Sequence, residues 1–457
     1  MRPNWLIEFQ MNFFDIAILL FTLELIFNKY ISEKVFLYSL YLSVLTAISQ
    51  IFTVGYKWQY MPIYFLICLY AIKYTFKFSI SNNLLKFASG LFIGISFIVT
   101  FLIIYYLPIP EFKIENQKYS VGYEEIYINI KSRSQPLAFS EISNLSENSN
   151  RELLVDIYYP SNDETEPNQL FRNASTNWGE TVINYLNRTW DINLPSFLFS
   201  HLNLSFLDVG VDLEPIKEQL PVVVYTHGWA GEKIFATDQL INIASQGYIV
   251  IALDHTGLAM FTELPSGTIY NYGSTEASTK VFDVMKEMSI DIEDTLRHVE
   301  KLNYQINFED ISIIGHSTGG GSAYLFCQTN KCSTLILQDP FFVPIIEELD
   351  NIELNTNTYF IYSQDWYQGY EDDNSISEIE VYREYTKNKE LAVGYYLTDS
   401  AHYDFVAFGI ISQLTSYTFL KGSIDYKDSL QTNNDFNIAA LRNEKIAESN
   451  FLKIIDE

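Results

Sequence analysis

The chain has 457 residues and a formal net charge of −27, and 48% of its residues are hydrophobic. This length allows two to three ordinary domains, or one large domain with an attached region. The excess of Asp and Glu excludes a general nucleic-acid binder, because phosphates are bound through cationic side chains. Residues 1–110 carry seven Lys and Arg against four Asp and Glu, so the remaining residues carry the whole negative excess.

Residues 1–110 have the composition of a membrane region. Phe87–Leu107 and Val35–Val54 are uncharged runs, each long enough to cross about 30 Å of hydrocarbon as a helix. Two weaker segments complete the pattern: Phe13–Phe27, which is interrupted by Glu24, and the short Trp58–Ile72. The sequence therefore predicts a transmembrane region of about four helices.

Lysine placement orients these predicted helices. The loops on one side contain Lys29, Lys34, Lys73, Lys77 and Lys86, whereas the other side has only Arg2 and Lys57 near the spans. Since positive loops stay in the cytoplasm, residues 111–457 are predicted to be extracytoplasmic. Outside the reducing cytoplasm, Cys327 and Cys332 are expected to form a disulfide rather than remain two buried thiols.

The part of the chain from Pro221 onward alternates short apolar runs with helical patterns. The helical patterns are Ile234–Ser245 and Ile290–Leu302, and the apolar runs are PVVVYT, YIVIAL, ISII, TLILQ, TYFIYS and LAVGYYL. Apolar strands that alternate with helices indicate a mostly parallel sheet covered on both faces. Residues 161–219 show no clear period, and we interpret them as a loop or lid insertion.

The pattern GHSTG at residues 315–319 is the central motif. A Gly-x-Ser-x-Gly sequence between a buried strand and a helix is typical of an elbow that exposes the serine hydroxyl at the end of a sheet. The flanking runs ISII and GGSAY provide that strand and that helix. Ser317 is therefore the predicted nucleophile of a serine hydrolase.

A serine nucleophile needs a base, and the base needs an orienting carboxylate. In this fold the order along the chain is serine, acid, histidine, and His402 is the histidine that follows the Ser317 helix. Two acids compete for the middle role, because Asp339 and Asp365 each follow a predicted strand. The residues alone leave this choice open. No metal-ligand spacing is found in the sequence, and the predicted chemistry needs no cofactor.

The negative oxygen that forms during ester cleavage needs backbone N–H donors. Thr318 supplies one, since it opens the helix that follows Ser317. The second donor is expected from the loop THGWAG after the first core strand. In that loop we expect His227 to hydrogen-bond and shape the backbone rather than act as a base.

Seven segments together carry a resemblance to a known family: LLVDIYYPS, PVVVYTHGWAG, SQGYIVIALDH, ISIIGHSTGGGSA, LILQDPFF, SAHYDF and FLKGSID. In this order they resemble the plasma-type platelet-activating-factor acetylhydrolases, which are α/β-hydrolases, over roughly Leu153 to Leu441. The resemblance does not extend to the predicted membrane spans. It implies a calcium-independent serine esterase for short or oxidised acyl groups of phospholipids. It also implies site roles: Ser317 as nucleophile, Asp339 as acid, His402 as base, and Trp229 and Thr318 as oxyanion donors.

The sequence thus predicts a membrane-anchored α/β-hydrolase whose substrate is a lipid or another ester. Two alternatives stay open. One is a general esterase or polyesterase, because a fold alone does not define a substrate. The other is a receptor or scaffold that uses the hydrolase fold without catalysis.

Overall fold

The computed structural model describes residues 12–27, 30–77, 82–114, 116–164, 168–169, 178–273, 280–302, 304–349, 356–369, 377–386, 391–418 and 420–455. The helices are α1 (Phe13–Ile26), α2 (Glu33–Thr53), α3 (Met61–Thr75), α4 (Asn83–Tyr106), α5 (Leu137–Ser140), α6 (Trp178–Thr189), α7 (Thr237–Ser245), α8 (Val281–Val299), α9 (Thr318–Thr329), α10 (Ile346–Leu349), α11 (Gln364–Gln368), α12 (Glu378–Thr386), α13 (Phe408–Ile411) and α14 (Tyr426–Leu441). The strands are β1 (Glu111–Phe112), β2 (Ser120–Ser134), β3 (Asn150–Ser161), β4 (Asn168–Gln169), β5 (Phe206–Leu207), β6 (Gly210–Val211), β7 (Leu220–Thr226), β8 (Ile249–Asp254), β9 (Phe261–Leu264), β10 (Gly267–Tyr270), β11 (Ile306–His316), β12 (Thr334–Gln338), β13 (Asn357–Ser363), β14 (Ala392–Leu397) and β15 (Leu452–Ile454).

A ten-stranded sheet organises the chain after the N-terminal helices, with the strand order β15-β14-β13-β12-β11-β7-β8-β3-β2-β6. Its centre, from β14 to β8, is parallel. The strands β3 and β15 run antiparallel to their central neighbours. Because parallel strands end at one edge, the segments after β11, β12, β13 and β14 meet there. These segments contain the predicted site residues.

Both faces of the sheet are buried, as the continuous apolar runs predict. Along β7, Val222 and Val224 belong to one core, and Val223 and Tyr225 belong to the other, because successive side chains of a strand point to opposite faces. The first core includes residues from α8, α9 and α12. The second includes residues from α7 and α14. The prediction of a mostly parallel α/β sheet with helices on both faces is confirmed.

The N-terminal region differs from the predicted four transmembrane helices. Four helices are present, but α1 and α3 have only 14 and 15 residues, and a helix needs about 20 to cross the hydrocarbon core. Two helices, α2 with 21 residues and α4 with 24, are long and apolar enough to span a membrane among the described residues. The sequence pattern overcounted because it scored apolar composition without knowing where each helix ends.

The segment 161–219, predicted as a loop or lid, contains regular structure. The helix α6 buries Trp178, Val182 and Ile183, and a 3-10 helix covers Ser196–Leu204. The spacing of these buried α6 residues is a helical signal that the sequence analysis did not recognise. Residues 165–167 and 170–177 lie outside the described residues.

The end of α9 carries a covalent link. Cys327 and Cys332 form a disulfide, as the predicted outside location led us to expect. One helix start differs from the prediction: α8 begins at Val281, nine residues before the start predicted from Ile290.

Candidate active site

Ser317 occupies a sharp turn between β11 and α9, as the motif predicts. Its backbone has φ 57° and ψ −125°, a strained conformation for a side chain other than glycine. Three hydrogen bonds hold this turn: Ser317 N donates to Gln338 O at 2.9 Å, and Ser317 O accepts from Phe341 N at 2.9 Å and from Gly320 N at 2.8 Å. A Cβ atom at Gly319 would lie 2.2 Å from Thr226 O. Only glycine therefore allows the helix to approach β7 so closely.

Asp339 follows β12 and is fully buried. Its Oδ1 accepts a hydrogen bond from Ser363 N at 2.6 Å, and its Oδ2 accepts one from Ser363 Oγ at 2.6 Å. His402 Nδ1 lies 3.0 Å from Oδ2. Three donors thus face two oxygens, an arrangement that suits an ionised carboxylate. The competing Asp365 is exposed in the first turn of α11.

Two rings hold the imidazole of His402 from its sides. Trp366 stacks on it with centroids 4.2 Å apart and an interplanar angle of 14°. His316 lies 4.6 Å away at 31°, and its Nε2 is 3.0 Å from His402 O. The sequence analysis missed Trp366, because contacts across the sheet edge produce no local sequence pattern.

Burial controls the protonation of this pair. It raises the pKa of Asp339 to about 7, although the hydrogen bonds from Ser363 act in the opposite direction. Burial lowers the pKa of His402 to about 3. It also lowers the pKa of His316 to about 3, with a further contribution from His402. A buried imidazole that is neutral near pH 7 can accept a proton from a nearby hydroxyl.

The loop after β7 presents backbone to Ser317. A Cβ at Gly228 would lie 2.7 Å from Ser317 Cβ, so the two segments touch. His227 Nδ1 lies 2.7 Å from Gly228 O, and Gly231 N donates to the same oxygen at 3.0 Å. Because a planar peptide unit holds its C=O and N–H in opposite directions, these contacts also fix the direction of the Trp229 N–H.

The tautomer of His227 follows from its second contact. His255 N donates to His227 Nε2 at 3.1 Å, so the proton of the neutral ring is on Nδ1, where it meets Gly228 O. Burial, assisted by His255, lowers the pKa of His227 to about 4 and keeps the ring neutral. His227 therefore shapes the loop, in the role that the sequence analysis expected for it.

Thr318 is the first residue of α9 and is buried beside Ser317. The first N–H groups of a helix have no partner within that helix. Thr318 thus carries, next to Ser317, a backbone N–H that its own helix does not use, and Trp229 lines the cavities at Ser317. Among the described residues, no cluster of three or more His, Cys, Asp or Glu side chains is arranged to hold a metal ion.

Two cavities meet at Ser317. The larger, of about 400 Å³, is lined mainly by aromatic and apolar side chains, among them Trp229, Val281, Phe341 and Trp366, together with Thr318. The smaller, of about 20 Å³, lies between the loop after β7 and the His402 segment. Ser317 and Trp229 line both cavities, and His402 lines the smaller one. A small molecule that reaches Ser317 can thus extend to two sides.

The fold and this serine-containing elbow define an α/β protein with the architecture of known esterases. A ferulic acid esterase from Streptomyces cinnamoneus has a similar structure, with a TM-score of 0.58 and 18% identity over 76% of this chain and 100% of that one. Residues 116–263 and 276–454 match the family described as platelet-activating factor acetylhydrolase, isoform II, and the chain belongs to this family. A platelet-activating factor acetylhydrolase from Cavia porcellus is 25% identical over 343 residues, which are 66% of this chain and 74% of the relative.

Proposed function

We propose that the protein is a carboxylic ester hydrolase that acts through an acyl-serine intermediate. One observation carries the proposal: Ser317 on its strained elbow shares a cavity with His402, whose Nδ1 is 3.0 Å from the buried Asp339. Family membership and the esterase-like fold support the same reaction class. The backbone donors at Trp229 and Thr318 complete the proposed site.

The proposed reaction has two halves. Ser317 Oγ attacks the ester carbonyl carbon while His402 Nε2 takes the hydroxyl proton, and the negative oxygen is stabilised by the N–H groups of Trp229 and Thr318. The tetrahedral intermediate then releases the alcohol, which receives that proton from His402. In the second half, water attacks the acyl-serine with His402 again as base, and Ser317 is regenerated with release of the acid. Asp339 orients His402 and stabilises its charged form.

The proposed substrate is a lipid ester, in particular a phospholipid with a short or oxidised acyl group. The relative named as a platelet-activating factor acetylhydrolase supports this class, and the apolar lining of the larger cavity suits a lipid group. The alternative is a general esterase or polyesterase. With p-nitrophenyl esters, activity should fall steeply from acetyl or butyryl to palmitoyl, whereas a preference for palmitoyl would contradict the short-chain assignment.

Residues 1–110 are proposed to anchor the enzyme, with α2 and α4 crossing the membrane in the same direction, the connection between them returning through the shorter α3, and residues 111–457 outside the cytoplasm. The apolar windows of α2 and α4 are only 28% and 11% buried, so their side chains face outward. Core helices of a soluble domain would bury most of this surface. An outward apolar face on both helices therefore supports contact with lipid.

A fluorophosphonate probe tests the reaction class, because it reacts only with an activated serine. Wild-type protein should be labelled, and Ser317→Ala should abolish both labelling and ester hydrolysis. Ser322→Ala is the matched control, since Ser322 lies on the same helix and donates to Gly319 O at 2.9 Å. Absence of labelling in folded wild-type protein would favour the non-catalytic receptor or scaffold.

A further inference from the structure

Glu232 is a buried carboxyl group that the proposed catalytic steps do not use. It lines the smaller cavity together with Ser317 and His402, and only 4% of the residue is exposed. Trp178 Nε1 donates to its Oε2 at 3.0 Å. Its other oxygen, Oε1, is buried with no hydrogen-bond partner among the described residues.

The neighbouring cation does not balance this carboxyl group. Lys233 Nζ lies 2.9 Å from Asp254, 3.7 Å from Asp156 and 3.8 Å from Glu125, so three other carboxylates share its charge. Burial, with the added charge of Asp254, raises the pKa of Glu232 well above its ordinary value. This shift favours the protonated carboxyl group, which can both donate and accept a hydrogen bond.

A carboxyl group in the wall of this cavity can form a hydrogen bond with a molecule that enters the cavity. A buried polar atom without a partner is unfavourable, and a ligand atom that completes the hydrogen bond removes that cost. Sites built to bond a hydroxyl group reject an analogue that lacks it far more strongly than apolar pockets discriminate by size. Glu232 is thus suited to recognise a polar atom of the substrate.

The size of the cavity limits the group that carries this atom. One water molecule needs a cavity volume of about 10–15 Å³, and this cavity has about 20 Å³. It can take a short acyl group, whereas the alcohol part of a lipid ester needs the larger cavity of about 400 Å³. This step rests on the proposed function, in which Ser317 attacks an ester with a short acyl chain.

We infer that Glu232 is a specificity residue that hydrogen-bonds a hydroxyl group on a short acyl chain, so that the smaller cavity prefers short hydroxyacyl esters to plain alkanoyl esters. The helix α6 of the 161–219 segment takes part in this subsite, because Trp178 holds the second oxygen of Glu232. The segment that the sequence analysis interpreted as a loop or lid therefore contributes to substrate selection.

The test compares p-nitrophenyl glycolate with p-nitrophenyl propionate, which differ by a hydroxyl in place of a methyl group. For each ester, the kcat/KM of the full-length enzyme is divided by the rate of alkaline hydrolysis of that ester. This division corrects for the difference in intrinsic reactivity between the two esters. We expect the wild-type enzyme to prefer glycolate by about 10- to 100-fold. A corrected ratio of one or below in wild-type protein would overturn the inference without any variant.

Substitutions assign the preference to Glu232. Glu232→Leu should bring the corrected ratio close to one, and Glu232→Gln should keep most of the preference because the amide still hydrogen-bonds. Glu263→Gln is the matched control: Glu263 accepts a hydrogen bond from Thr181 of the same helix at 2.7 Å, and its loss should not change the ratio. An unchanged ratio in Glu232→Leu protein that still reacts with fluorophosphonate would overturn the inference.

A second pair of esters tests the acyl-side assignment. For 2-hydroxyethyl acetate against propyl acetate, the hydroxyl group is on the alcohol, and Glu232→Leu should leave their ratio unchanged. An effect on this pair and not on the acyl pair would overturn the assignment to the acyl group. If the wild-type enzyme showed no Ser317-dependent hydrolysis of any of these esters, the proposed function itself would be contradicted. Failure of the inference and failure of the proposed function are therefore distinguishable.

Discussion

At the scale of single residues, several contacts fix the carboxylate of Asp339 in place. Both its oxygens accept hydrogen bonds from Ser363, and one of them also faces His402. Its backbone has φ 40°, a left-handed conformation that turns the side chain back under the sheet edge. Asp365, one strand along, is exposed. The proposed acid is therefore the residue whose geometry is already set before substrate binds.

Substitution of the two acids should give very different results. Asp339→Asn should lower kcat by about 10⁴, the loss known for the equivalent change in a serine protease, because the imidazole loses its correct tautomer and the stabilisation of its charged form. Asp365→Asn should cost less than about tenfold, or about 1.4 kcal/mol of barrier. Both variants are compared by kcat with p-nitrophenyl acetate, and circular dichroism checks folding. The reverse pattern would show that the acid is misassigned.

The pH dependence of kcat/KM should have an acid limb set by the buried pair. Burial raises the pKa of Asp339 to about 7 and lowers the pKa of His402 to about 3, and groups so close titrate as one unit. A proton added to the pair as pH falls removes either the free base or its carboxylate partner. Activity should therefore be constant on the alkaline side of about pH 7 and fall as pH decreases through it. A kcat/KM that stays flat down to pH 5 would contradict this assignment.

At the scale of elements, a buried ionic network ties the long helix α8 to β3 and to the segment after β8. Asp291 of α8 accepts hydrogen bonds from Arg151 Nε at 2.9 Å and from Arg151 Nη2 at 2.5 Å. His255 Nδ1 lies 3.0 Å from the same carboxylate. Since His255 N also donates to His227, this network supports the loop that carries Trp229. The partner of His255 lies 36 residues away on another element, so no local sequence pattern predicts this contact.

Asp291→Asn should therefore lower the free energy of unfolding by about 3–5 kcal/mol, because it leaves the charge of Arg151 buried without its counter-ion. Asp294→Asn is the control: Asp294 pairs with Arg133 at 2.9 Å nearer the surface and should cost below about 1 kcal/mol. Urea unfolding of the enzyme in detergent, followed by tryptophan fluorescence, compares the two. Equal losses would contradict the buried-charge explanation.

The same network predicts a loss of stability in acid. Burial acts to raise the pKa of Asp291, but the charge of Arg151 and the hydrogen bond from His255 outweigh it and hold the pKa well below its usual range. The unfolded chain therefore binds this proton at higher pH than the native protein does. The contribution of ionised Asp291 to the free energy of unfolding is complete above about pH 4, the pKa of Asp in an unfolded chain. This contribution decreases as pH falls further. Thermal unfolding from pH 6 to pH 2 should show a smaller decrease for Asp291→Asn than for wild type.

At the scale of the whole molecule, the N-terminal helices and the hydrolase part meet in specific contacts. Trp58 Nε1, shortly after α2, donates to His201 Nδ1 at 3.3 Å, and Ser412 Oγ donates to Tyr106 O, at the end of α4, at 2.7 Å. The C-terminal ends of α2 and α4 therefore lie on the side of the hydrolase part. Their N-terminal ends, next to Lys34 and Lys86, lie on the opposite side, which is the cytoplasmic side in the proposed orientation, because positive loops stay in the cytoplasm.

This topology predicts protease access from outside the cell. A specific cleavage site inserted between the exposed residues Gln117 and Lys118 should be cut by protease added to intact cells. The released fragment should contain Ser317. In the control, permeabilised cells expose both sides and give the same fragment. Cleavage that occurs only after permeabilisation would place the hydrolase part in the cytoplasm and contradict the orientation.

The sequence by itself determined the features that depend on local pattern. Apolar runs such as PVVVYT predicted buried parallel strands, and the glycines around Ser317 predicted a tight strand-to-helix turn, because side-chain period and steric demand are local properties. The helix ends in the N-terminal region could not be predicted from local pattern. The apolar runs continue through turns, so the sequence predicted four spans where two helices have the required length.

Only the tertiary structure decided which distant groups meet. Asp339 and Asp365 are equivalent in sequence position relative to their strands, and the direction of each turn brings the first to His402 and leaves the second exposed. The stacking of Trp366 on His402 and the presence of Glu232 in the wall of a cavity that Ser317 also lines likewise depend on packing between elements far apart in the chain. Such contacts are set by how layers of the fold pack, and burial then determines their charge, so no pattern along the sequence contains them.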